Sequence, residues 1–116
     1  MGQWSDVSAA MLAPSENGRV LAGRLSGTGT TEATNSTALS AGSLATIVVG
    51  PVAVYVRFLS AAGGGSSVTS ANYDVEVAAG MRFDWIVEAG NKHVAIEASD
   101  GSSAYRATVW TSSPSL

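Results

Sequence analysis

Val52-Ala53-Val54-Tyr55-Val56-Arg57-Phe58-Leu59, residues 52–59, alternates along its length, with Val52, Val54, Val56 and Phe58 on one face. Period-two alternation marks a strand with one face in a core and the other in water. Upstream lies Leu44-Ala45-Thr46-Ile47-Val48-Val49, a β-branched run closed by Gly50-Pro51. Downstream, the pattern breaks from Ser60 to Ser67 around Gly63-Gly64-Gly65 and resumes in Tyr73-Asp74-Val75-Glu76-Val77. After the Ala79-Gly80 turn, residues 82–88 put Phe83, Trp85 and Val87 on one face. Ala89-Gly90-Asn91 then turns into residues 92–98, and Asp100-Gly101 turns into residues 104–110. Six strands at this regular spacing predict an all-β fold, an antiparallel β-sandwich of jelly-roll-like form over residues 44–116.

Composition agrees. A chain of 116 residues supplies one domain and too little for two independent cores. Ala, Gly, Ser and Thr fill half the positions, and good helix formers are sparse. The absence of cysteine excludes disulfides, thiolate metal sites and a thiol nucleophile. With a net charge of −3 and only 13% charged residues, no basic surface is expected for a phosphate backbone, so no direct nucleic-acid partner is predicted. No apolar run approaches the ~18 residues of a membrane-spanning helix, and no membrane partner is expected. The start, Met1-Gly2-Gln3-Trp4-Ser5-Asp6, lacks the basic and long apolar regions of a secretory signal, which predicts synthesis in a cytosol.

Residues 1–43 differ in character. Asn17-Gly18 signals a turn, and Arg19-Val20-Leu21-Ala22-Gly23-Arg24-Leu25 suits one short strand. Ser26 to Gly42 is a Ser/Thr/Gly/Ala stretch whose single sizeable apolar residue is Leu39. The expectation is an extended N-terminal arm with short strand segments, unable to build a core of its own.

Residues able to carry chemistry are scattered. The single histidine, His93, shares a strand face with Glu97, but strand positions four apart lie ~13 Å from each other and cannot chelate one ion. Asp74, Glu76, Asp84 and Glu88 would form two neighbouring carboxylate rows if their strands paired, with Arg82 beside Asp84. Charge patterning of a solvated face explains them without catalysis. A Ser-His-Asp set can be named from any of 17 serines, yet no G-x-S-x-G elbow occurs. Gly27-Thr28-Gly29-Thr30-Thr31 lacks the G-K-[ST] ending of a phosphate loop. The sequence therefore predicts a non-enzymatic protein with no catalytic residues, no metal and no cofactor.

The aromatic residues point elsewhere. Trp110 falls on the strand face opposite Tyr105 and Val109, and Tyr55 falls opposite Val54 and Val56. One sheet face cannot bury all of these, so the arm or another subunit must cover the outward rings.

The stretch from Tyr55 to Trp110 resembles small β-structured virion proteins of tailed bacteriophages. The resemblance rests on Val54-Tyr55-Val56-Arg57-Phe58, a Gly/Ser loop, Tyr73-Asp74-Val75-Glu76-Val77-Ala78-Ala79-Gly80, a strand centred on Trp85, Gly90-Asn91-Lys92-His93-Val94-Ala95-Ile96, and a last strand after Asp100-Gly101. It implies a virion structural role, as a capsid decoration (cement) protein or another head or tail accessory. The expected partners are the major capsid protein or other virion proteins and further copies of the chain, in a homo-oligomer located in the virion. The expected contact residues are Trp4, Met11, Leu12, Val20, Leu21 and Leu25 in the arm, with Tyr55 and Trp110 on the domain. The alternative is a tail or fibre module that binds a host glycan on Tyr55 or Trp110.

Overall fold

A computed structural model of the chain describes residues 19–35, 37–63 and 67–112. Eight strands carry the fold: β1 (Arg19–Thr28), β2 (Ala33–Thr34), β3 (Leu44–Gly50), β4 (Val54–Leu59), β5 (Val75–Val77), β6 (Arg82–Ile86), β7 (His93–Ala98) and β8 (Ala104–Ser112). They form two four-stranded antiparallel sheets, in the orders β1-β8-β3-β6 and β2-β7-β4-β5. That interleaving is the double Greek key of a jelly roll, so the all-β sandwich expected from the alternation is the observed architecture. No helix occurs among the described residues.

Alternation dictates what lies between the sheets. Val54 and Val56 from β4, Val94 and Ile96 from β7, Ile47 and Val49 from β3, and Tyr105 and Val109 from β8 are all buried against each other. Burying each of these aliphatic side chains is worth about 1.5–3 kcal/mol. Tyr105 crosses the layer, and its hydroxyl donates towards the carbonyl oxygens of Thr31 at 2.5 Å and Ile96 at 3.1 Å. Burial, with Glu97 and Glu32 nearby, pushes the Tyr105 phenol up to about 12. Gly29 joins the two sheets at one end, donating to Ser103 O at 2.8 Å and accepting from Ala98 N at 3.0 Å. Its φ of 59° and the Gly101 carbonyl 2.9 Å from any added Cβ leave room for glycine alone.

The boundary expected at residues 43/44 is not a boundary in the fold. β1 pairs with β8 from Arg19↔Ser112 to Thr28↔Ala104, and β2 pairs with β7. Leu25 and Leu39 both sit in the core. Residues 19–43 are thus part of the sandwich, held by backbone ladders that need no large side chains. Residues 1–18 lie outside the described residues.

A second correction concerns the carboxylate rows. Although a tight turn joins them, β5 and β6 lie in different sheets. Asp84 instead accepts Thr46 Oγ1 at 2.5 Å and pairs with Arg82 at 3.2 Å.

The outer face of the β2-β7-β4-β5 sheet is partly covered by the described residues of the loop between β4 and β5. Arg57 Nη1 donates to Ser67 O at 2.7 Å, Val68 N donates to Glu32 Oε1 at 2.9 Å, and Val68 is buried. Ala95 and Glu97, which alternate outward on β7, are buried too.

Candidate functional site

The other sheet presents a different outer face. Along β8, Tyr105, Ala107, Val109 and Thr111 point into the core, leaving Arg106, Thr108, Trp110 and Ser112 outward. Cross-strand pairing then sets the neighbours: Leu21 of β1 and Thr46 of β3 flank Trp110, while Arg24 and Val48 flank Thr108. On β6, Ile86 pairs with Leu44 and Arg82 pairs with Val48. Leu21, Leu44, Val48, Ile86 and Trp110 therefore share one sheet face, and no described segment lies over it. Ile86 is 59% exposed, Leu44 39% and Val48 38%.

β3 explains why this face is apolar. Its run Leu44-Ala45-Thr46-Ile47-Val48-Val49 does not alternate, so it supplies hydrophobic residues to both sides of the sheet. β3 is an inner strand, with β8 on one side and β6 on the other.

Arginines gather at the end of the face remote from Trp110. A shallow groove of about 640 Å³ runs between Arg24 and Arg106, floored by Val48, Gly50 and Pro51. Arg82 is engaged with Asp84, whereas Arg24 and Arg106 have no hydrogen-bond or ion-pair partner among the described residues. An apolar strip flanked by two guanidinium groups can dock a protein surface with matching apolar and carboxylate groups.

The expected contact residues divide. Leu21 and Trp110 meet across β1 and β8 on this face. Val20 pairs with Thr111 at the start of β1 and is 45% exposed. Leu25 is corrected to a core residue, since a bulge between Leu21 and Gly23 moves it to the inner side opposite Ala107. Tyr55 lies on the outer face of the other sheet, its ring centroid 4.3 Å from that of Tyr73. Tyr55 and Trp110 consequently do not form one aromatic platform. Trp4, Met11 and Leu12 lie outside the described residues. Leu44, Val48, Ile86, Arg24 and Arg106 were not anticipated, although the unalternating β3 run carried the signal for the first two.

His93 is held structurally, with Nδ1 2.9 Å from Asn35 O. Among the described residues, no group of three or more His, Asp or Glu side chains is placed to hold a metal ion.

No protein-family model matches the chain, and no curated protein matches it. Among solved structures, the chain is similar to the crystal structure of PliG, a periplasmic inhibitor of g-type lysozyme from Aeromonas hydrophila. The TM-score is 0.48 at 15% identity, over 81% of this chain and 84% of that one.

Proposed function

We propose that the protein is a non-enzymatic structural component of a bacteriophage virion, a capsid decoration (cement) protein that docks through the outer face of the β1-β8-β3-β6 sheet. The observation that carries this reading is the row Leu21, Leu44, Val48, Ile86 and Trp110, which no described segment covers, with Arg24 and Arg106, unpaired among the described residues, beside it. Exposed apolar patches of this kind mark interaction surfaces, and Trp and Arg are the residue types that dominate interface energies. The resemblance of residues 55–110 to small phage virion proteins supports the setting. A jelly roll is compatible with it, since viral capsid domains use that fold, but the same fold hosts many functions.

The partner in this reading is the major capsid protein or another virion protein. Copies made in the host cytoplasm assemble on the particle as a symmetric oligomer, where repetition converts modest single contacts into stable attachment.

The test uses particles lacking the protein, incubated with the wild-type chain or the double variant Val48→Glu/Ile86→Glu. Wild type should decorate the particles, and the variant should lose at least tenfold in occupancy at an unchanged melting temperature. Undiminished decoration by the variant would overturn the choice of face. Failure of the wild-type chain to bind would overturn the virion role.

A further inference from the structure

A second site lies where the two sheets part company. At the β5/β6 side, no described strand closes the sandwich, and three rings fill the opening. Phe58 lies 5.1 Å from Trp85 and 6.3 Å from Phe83 between ring centroids, and Phe83 lies 6.0 Å from Trp85. All three are only partly buried. Beside them is a cleft of about 310 Å³ lined by Phe58, Asp74, Trp85, Ile86, Glu88 and Asn91. That is the small end of ligand-sized pockets, which run from about 300 to 1,000 Å³.

The cleft is electronegative by construction. Asp74 Oδ2 accepts the Phe58 N–H at 2.8 Å, while its other oxygen has no partner among the described residues. Glu88 sits on a tight turn closed by Asn91 N donating to Glu88 O at 3.0 Å, and its carboxylate makes no ion pair among the described residues. No basic residue lines the cleft. Aromatic faces carry the negative end of the ring quadrupole, so rings and carboxylates act in the same sense. An anion is repelled here. A neutral sugar would find mostly acceptors, with too few donors to match its hydroxyl groups. A cation on an apolar stem fits both parts, its stem on the rings and its charge between Asp74 and Glu88.

We propose that this cleft is a receptor for a cationic side chain of a protein partner, with arginine preferred. A planar guanidinium stacks on an aromatic face and bonds a carboxylate through two parallel N–H groups, which an ammonium cannot do. The site adjoins the apolar sheet face and shares Ile86 with it, but its rings are distinct, because Phe58, Phe83 and Trp85 alternate inward where Ile86 and Asp84 alternate outward.

The experiment is a titration of the ¹⁵N-labelled full chain with N-acetyl-arginine methylamide, followed through the Trp85 indole N–H resonance. The expected result is a saturable shift with an affinity of about millimolar. The lysine analogue should bind several-fold more weakly, and the neutral citrulline analogue should give no saturable shift. Asp74→Asn/Glu88→Gln should weaken the arginine probe at least tenfold with the rest of the spectrum preserved, since asparagine keeps an acceptor for the Phe58 N–H. Equal binding by the citrulline analogue would overturn the proposal. So would a response to a neutral disaccharide in place of arginine, or no saturable shift with arginine.

Discussion

Asn35 Oδ1 accepts the backbone N–H of Val94 at 2.6 Å, joining residues 59 positions apart in the chain. The same side chain donates from Nδ2 to Thr37 O at 2.7 Å, and the backbone carbonyl of Asn35 meets His93 Nδ1 at 2.9 Å. One buried amide thereby fastens the small-residue segment after β2 to the start of β7.

Replacing Asn35 with Ala leaves the buried Val94 N–H without its acceptor. The expected loss is about 1–3 kcal/mol of stability, read as a lower denaturant midpoint with an unchanged slope. A midpoint equal to wild type would show that water replaces the amide at no cost.

Leu25 and Ile86 are expected to respond oppositely to truncation. Leu25→Ala opens a cavity beneath β1 and should cost about 2–5 kcal/mol, whereas Ile86→Ala on the open face should stay within about 0.5 kcal/mol. Deleting the chain through Thr28 removes β1 altogether, which uncovers the β8 edge and should abolish cooperative thermal unfolding. A truncated chain that still melts sharply would contradict the place given to β1.

Glu97 is buried on the outer side of β7, and among the described residues no hydrogen bond or ion pair holds its carboxyl. Desolvation first, and the charge of Glu32 second, raise its pKa above the ordinary carboxylate value. The folded state therefore binds the proton more tightly than the unfolded chain does. Stability should fall as pH rises from the unfolded pKa through the folded one, and remain reduced above it. Glu97→Gln should raise the melting temperature at pH 7, with the gain shrinking as the pH is lowered towards 4. A gain of equal size at both pH values would remove the carboxylate as its cause.

Much of the sandwich is legible in the alternation of residues 44–110, because each strand has one wet face and one dry one. The pairing of strands is less so. Val77 and Arg82 are separated by a four-residue turn, yet local pattern does not reveal that the chain changes sheet there. The segment 26–43 escaped for a different reason. Its order rests on backbone ladders and on Asn35, whose partners are main-chain atoms that no residue type announces. Leu39 alone hinted at it, as a solitary large apolar residue that proves to be buried.

The docking face was half legible. Trp110 declares itself by standing opposite Val109. Leu21 and Leu25, four apart, would share a face in any regular strand, and the bulge between Leu21 and Gly23 separates them. One inserted residue exchanges inside for outside, and hydropathy does not display it.

The ladder between β1 and β8 begins at Arg19↔Ser112. Arg19 and Ser112 accordingly stand side by side at one pole, a single interstrand spacing of about 4.8 Å apart. The pole bearing Gly29 and Gly101 lies at the opposite end of the same ladder, at Thr28↔Ala104. A short peptide bridge from Ser112 to Arg19 would yield a circular polypeptide of residues 19–112 in which every described strand keeps its neighbours.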